Sequence, residues 1–170
     1  MAAVQVLETP RLILRHLAEG DAPFVLELLN DPGFLTNLGD RGVRDLEGAR
    51  RYIEEGPAAS YRANGFGLWL TVLKATGEPI GICGLVKRDG LEHADVGYAI
   101  LARFSGKGYA TEAAAATLDY ARSVIGLDTI VAITTLDNAP SQAVLAKIGL
   151  KPAGTIRLPG REDDSAYFTT

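Results

Sequence analysis

Three strand-like runs, Phe66–Leu73, Ile80–Val86 and Ala94–Leu101, follow one another with only short turns between them. Those turns hold Gly77, Pro79 and the Asp89-Gly90 pair. None has room for a crossover helix, so neighbouring runs must be antiparallel. From Lys107 the period changes. Ala110, Ala114, Leu118, Ala121 and Ile125 fall on one face of a helix that Gly126 terminates. Thr129–Thr134 reads as a short β-branched strand, and Asn138–Lys147 as a helix with Pro140 in its first turn and Gly149 past its end.

The first third of the chain is more helical. Leu7–Leu17 reads as one strand, with Leu12 and Leu14 on one side and Arg11, Ile13 and Arg15 on the other. Asp21 is placed to cap a helix with Pro23 in its first turn and an apolar stripe of Phe24, Val25, Leu28 and Leu29. Asn30-Asp31-Pro32-Gly33 ends it. A second helix starting near Asp45 turns Leu46, Ala49 and Ile53 inward; Gly56-Pro57 breaks it, and Ala58–Arg62 resumes as a short helical turn. Two weak strands, Thr155–Leu158 and Ala166–Thr169, close the chain. The expected fold class is α+β, a mixed, mostly antiparallel central sheet flanked by helices.

At 170 residues the chain is sized for a single domain, and 47% apolar content is enough for a packed core. With 17 Lys and Arg against 21 Asp and Glu the net charge is −4, which argues against nucleic acid or an anionic membrane as partner. Cys83 is the only cysteine, so no intrachain disulfide forms, and with two histidines no metal site is expected. Met1–Glu8 lacks the basic-then-apolar pattern of a secretory leader, and a cytoplasmic protein is expected.

The segment richest in chemistry is Arg103-Phe104-Ser105-Gly106-Lys107-Gly108-Tyr109-Ala110-Thr111. Gly106 and Gly108 permit positive φ and close ligand approach between a strand and a helix start. Backbone N–H groups of such a turn favour a phosphate or pyrophosphate, and Arg103 and Lys107 add positive charge. The same spacing also describes a plain helix-start turn with solvated cations. A Walker loop would need Ser or Thr where Gly108 stands, and a dinucleotide fingerprint would need a small residue at Thr111 within a parallel βαβ unit. Asn138-Ala139-Pro140-Ser141 forms a second feature: Asn138 can cap its helix or hold a ligand amide, and Ser141 lies one turn on. Trp69 and Cys83 read as core, and His16 and His93 as strand-surface residues.

Four segments together resemble the GNAT acetyltransferase superfamily, and within it the RimJ/RimL-like branch. They are Leu7-Glu8-Thr9-Pro10-Arg11-Leu12, Asp95-Val96-Gly97-Tyr98, the loop from Arg103 through Ala113, and Asn138-x-x-Ser141 through Lys147-x-Gly149. They occur in the family's order over nearly the whole chain.

The resemblance implies a single GNAT-like domain over residues 1–170, built around a splayed pair of strands that holds acetyl-CoA. The backbone of Ile100 and Leu101 would pair with the pantetheine arm like an added strand. Amides from Arg103 through Gly106, Lys107, Gly108, Tyr109 and Ala110 to Thr111 would cradle the pyrophosphate, with Asn138 and Ser141 near the thioester. The implied reaction moves acetyl to a primary amine, a protein N-terminus or a small amine, by direct attack in a ternary complex. Asp95 is the expected base, through a water, with Glu92 as the reserve; Ser141 would assist the departing thiolate. Many relatives carry a tyrosine acid one turn beyond that serine, where this chain has Leu145. A non-catalytic acyl-CoA-binding module is the alternative. The acidic balance fits a cationic acceptor without demanding one, and a homodimer is a possible assembly.

Overall fold

The computed structural model describes residues 4–170, organised on one eight-stranded sheet in the order β1-β2-β3-β4-β5-β6-β8-β7. The run read as one strand from Leu7 is a hairpin: β1 (Gln5–Glu8) and β2 (Leu12–Arg15) pair antiparallel. Pro10 cannot donate within a ladder, and Thr9 instead closes the turn, its N–H donating to Leu12 O at 2.9 Å.

Helix α1 (Ala22–Leu29) buries Ala22, Val25, Leu28 and Leu29. Asp21 precedes it without capping it, because its carboxylate takes Arg15 at 2.8 and 2.9 Å and the Ala18 N–H at 2.8 Å. A further short helix, α2 (Pro32–Leu38), follows at once: Pro32 occupies the first turn, where a missing N–H costs nothing. In α3 (Leu46–Ile53) Asp45 accepts from Gly48 N–H at 2.7 Å and Ala49 and Ile53 are buried, whereas Leu46 lies at the surface. Pro57 does not break the chain's helical course; a wider turn over Glu54–Ala58 absorbs it and leads into α4 (Ala59–Asn64).

The meander is as expected: β3 (Leu68–Leu73), β4 (Pro79–Val86) and β5 (Asp95–Ile100) pair antiparallel in sequence. Helix α5 (Tyr109–Tyr120) then carries the chain across to β6 (Val131–Thr135), parallel to β5. After α6 (Ala139–Lys147), β7 (Lys151–Ile156) and β8 (Ser165–Thr169) form a hairpin whose second strand pairs with β6. Both faces of the sheet are covered. On one, Trp69, Leu85 and Val96 pack under α5 and Leu145; on the other, Leu70, Ile82 and Leu101 pack under α1 and α3. Phe66 and Trp69 are both buried in the first of these cores. Among the described residues no helix is long and apolar enough to cross a membrane.

Glycines in β4 let the meander close up. A Cβ at Gly84 would lie 2.0 Å from Gly67 O, a backbone atom that already accepts from Leu85 N–H at 3.1 Å. Gly84→Ala should therefore force the strands apart and cost about 2 kcal/mol. That corresponds to a melting temperature lowered by roughly 4–8 °C in a chain of this size. Thermal unfolding at the wild-type midpoint would refute the packing account.

Candidate functional site

Strand β5 follows β4 through six paired positions, while β6 follows β8 through five. Between β5 and β6 only Asp95 and Val131 are in register, closed by Val131 N–H donating to Ala94 O at 3.0 Å. Beyond that bridge the strands diverge, and a cleft of about 470 Å³ opens between them.

Alternation along β5 decides which backbone groups face the opening. The Ala94 carbonyl points at β6, so every second residue from there, Val96, Tyr98 and Ile100, directs its N–H and C=O the same way. Tyr98 and Ile100 thus present an unpaired strand edge to the cleft. Leu101 does not: its N–H donates to Ile80 O at 2.9 Å and its side chain is fully buried. The expectation that Leu101 pairs with a ligand arm is corrected, since its amide is spent inside the sheet and the available edge runs through Ile100 and Tyr98.

At the far end the cleft is closed by the start of α5. Gly106 (φ 77°) and Gly108 (φ 83°) adopt the left-handed backbone that the sequence required of them. Gly108 offers no side-chain cap, and the first intrahelical bond there is Glu112 N–H to Gly108 O. The Tyr109, Ala110 and Thr111 amides therefore lack intrahelical acceptors, and all three residues line the cleft with Gly106 and Gly108. By contrast, α6 is capped by Asn138, whose Oδ1 accepts from Ser141 N–H at 3.2 Å; both residues also line the cleft. Arg103 and Lys107 do not line it. The Arg103 guanidinium pairs with Glu27, and the Lys107 carbonyl accepts from Arg11 Nη1 at 2.9 Å.

Two of the segments singled out in the sequence brace each other here. Glu112, in the first turn of α5, accepts from Thr9 Oγ1, from Arg11 N–H at 3.0 Å and from Arg11 Nε at 2.6 Å. The Arg11 guanidinium also lies 4.5 Å from the centre of the Tyr109 ring. The β1–β2 turn thus fixes the glycine loop through one carboxylate.

Asp95 lies at the bottom of the cleft, 1% exposed, with Arg88 Nε 3.2 Å from each carboxylate oxygen. Burial pushes its carboxyl up from the usual range, and Arg88 opposes that rise. Glu92 is 89% exposed in its side chain and outside the cleft. On the opposite wall the Tyr98 hydroxyl is 3.0 Å from Ser141 O and 2.9 Å from Ser141 Oγ. Since a carbonyl only accepts, Tyr98 can donate to it while the Ser141 hydroxyl donates to the tyrosine oxygen. Burial pushes the Tyr98 hydroxyl up to about 12, so it stays protonated at neutral pH. This partner was missed in the sequence, because the reach of Tyr98 to α6 depends on how the strands splay. Cys83 is fully buried beside Thr117, and burial pushes its thiol up to about 12.

The fold agrees with the comparisons to known proteins. Residues 11–151 match the Acetyltransferase (GNAT) domain family, and the chain belongs to it. It is 33% identical over 161 residues to the uncharacterized protein YkkB of Bacillus subtilis (strain 168), covering 92% of this chain and 91% of that one. It is 28% identical over 167 residues to the uncharacterized N-acetyltransferase YoaA of the same organism, covering 96% and 93%. A solved acetyltransferase of Agrobacterium tumefaciens str. C58 superposes with a TM-score of 0.81 at 27% identity, over 100% of this chain and 95% of that one. RimL, a ribosomal L7/L12 α-N-protein acetyltransferase solved with coenzyme A, superposes at 0.80 over 98% and 97%; at 19% identity that likeness establishes the fold. The chain is a GNAT acetyltransferase.

Glu112 gives this site a measurable pH dependence. Partial burial pushes its carboxyl up, but the bonds from Thr9 and Arg11 outweigh burial and hold it below the usual range. A carboxylate depressed in the folded state stabilises above its unfolded value of about 4.3. That stabilisation is lost as pH falls through the lower folded value. Glu112→Gln should melt roughly 3–6 °C below wild type at pH 7, for a loss of about 1.5 kcal/mol, and the gap should close under acid conditions. A gap independent of pH would mean that the charge does not brace the loop.

Proposed function

We propose that this protein is an N-acetyltransferase of the RimJ/RimL-like kind, moving acetyl from acetyl-CoA to a primary amine by direct attack in a ternary complex. The observation that carries this reading is a single cleft bounded by the unpaired edge of β5 and the uncapped start of α5. An extended amide-bearing arm suits the first, and a pyrophosphate suits the second. Ile100 and Tyr98 would hold the arm through their backbone, with Asn138 near it, and the amides of Tyr109, Ala110 and Thr111 would hold the anion.

Acetyl-CoA supplies an activated thioester, whose C–S bond breaks as the new N–C bond forms. An amine is mostly protonated at neutral pH and must lose a proton before it can attack. Asp95 takes that proton through a water, because its buried carboxylate is a stronger base than an exposed one, and Arg88 holds it in place. Ser141 Oγ gives a proton to the departing sulfur, and the Tyr98 hydroxyl, 2.9 Å away, turns from the Ser141 carbonyl to Oγ to replace it. That pair supplies, from β5, the phenol that the family's late helix lacks here at Leu145.

Asp95→Asn and Ser141→Ala should each lower kcat by about 10²-fold or more and leave acetyl-CoA affinity close to wild type, the pattern of lost transition-state stabilisation. Tyr98→Phe should lie between Ser141→Ala and wild type. Calorimetric titration with acetyl-CoA, and with NAD as comparator, reads affinity separately from turnover. Full turnover in both Asp95→Asn and Ser141→Ala overturns the assignment. Acetyl-CoA binding with no transfer to any amine identifies a non-catalytic module instead.

A further inference from the structure

A second cavity of about 400 Å³ meets the first at Arg88, which lines both. Its charged lining residues are Arg41, Lys87, Arg88 and Arg161, and no carboxylate lines it. In a chain with net charge −4 that is a local inversion of sign.

These cations are also short of partners. Arg11, Arg15, Arg44, Arg50, Arg62, Arg103 and Arg157 all form ion pairs. Among the described residues the side chains of Arg41 and Arg161 make no ion pair, as Arg51 and Arg122 also do not, and Arg88 meets Asp95 through Nε, leaving both Nη groups over. Burial lowers the pKa of Arg161, and Arg88 and Arg41 lower it further, so the three guanidinium groups repel one another across the cavity. Asp95 is the carboxylate that offsets part of this repulsion, and three guanidinium groups sharing one carboxylate leave a cost that a bound anion relieves.

Three loops hold them there. The β4–β5 turn bearing Arg88 packs on the β7–β8 loop bearing Arg161: Leu91 and Leu158 share a small core with Val131, and a Cβ at Gly90 would strike Pro159 Cδ at 2.6 Å. Arg41 lies over the Phe34 ring at 5.7 Å, on a loop tied by Asp40 Oδ1 to Gly42 N–H at 2.8 Å and by Asp40 to Arg44 at 2.5 Å. Tyr52 adds a hydroxyl to the same wall. Packing and local hydrogen bonds thus fix the loops that carry these cations, while the side chains of Arg41 and Arg161 stay exposed at the mouth of the cavity.

We propose that the acceptor is a carboxylated primary amine of amino-acid size, its anionic group held by Arg41, Arg88 and Arg161 in this cavity and its amine on the Asp95 side of Arg88. This rests on the N-acetyltransferase reading above and makes it more specific. It is compatible with the net charge, which fits a cationic acceptor without demanding one, because acceptor chemistry follows the local lining and not the sum over the chain.

The closing experiment has two arms. In the first, the protein is titrated calorimetrically with N-acetyl-L-glutamate, a product-like probe, and with its diamide. Saturable binding of the acid, none of the diamide, and at least about tenfold weaker acid binding in the Arg41→Gln/Arg161→Gln double variant are expected, for two lost charge-assisted contacts. Equal binding of acid and diamide, no binding of either, or unchanged affinity in the variant overturns the proposal. In the second arm, acetyl transfer is measured on amino acids, their carboxamides and neutral peptides with a free N-terminus. The double variant should raise KM for the acids alone and keep kcat and acetyl-CoA affinity. Amides or neutral peptides serving as well as acids overturn the proposal while the acetyltransferase reading stands. Acid binding without transfer to any amine refutes that reading and leaves the anion site in place.

Discussion

The single bridge between Asp95 and Val131 is the constraint on which the rest of the molecule turns. A sheet that continued its ladder there would bury the backbone groups of Tyr98 and Ile100 in strand pairing and leave no cleft. The divergence is enforced from both sides, since β5 is committed to β4 and β6 to β8. Unpaired strand edges are normally a liability, exposed to pairing with another chain. Here the open edge is recessed between two half-sheets, in a cleft lined by the starts of α5 and α6. Tyr98 and Ser141 clasp the two sides together beyond the bridge, which sets the width of the splay as well as holding a proton.

Much of this was legible in the residues. Short turns dictated the antiparallel meander, the change of period announced α5, and Gly106 and Gly108 marked a turn whose backbone is left-handed. What escaped did so for physical reasons. Pro10 was read as lying within one strand and Pro32 as part of a helix end, yet proline favours a turn and a first helical turn, so one strand became a hairpin and one helix end became a new helix. Leu101 was assigned to the ligand edge because motif position does not fix the phase of a strand; the pairing with Ile80 does. Arg103 and Lys107 read as phosphate partners by proximity in sequence, while the structure turns Arg103 toward Glu27 on α1.

Other features could not be read from the chain at all. Thr9, Arg11 and Glu112 are about a hundred positions apart and meet only because β1–β2 lies against the start of α5. Arg41, Arg88 and Arg161 belong to three separate loops with no shared pattern, and net charge says nothing of where cations gather. Long-range convergence of this kind carries no local periodicity, so sequence reading finds the scaffold more readily than the walls of the site.

Arg88 links the two halves of the chemistry. Its Nε holds the buried Asp95 carboxylate, and the same side chain lines the cationic cavity. An isolated carboxylate at 1% exposure would rise in pKa until it no longer ionised near neutrality, whereas one tied too tightly to arginine would be a poor base. Contact through Nε alone is a compromise between these limits. An anion bound on the far side of Arg88 would draw the guanidinium's charge away from Asp95 and strengthen the carboxylate as a base when the acceptor is in place. Recognition of the acceptor and activation of its amine would then share one side chain, which couples specificity to rate without any moving lid.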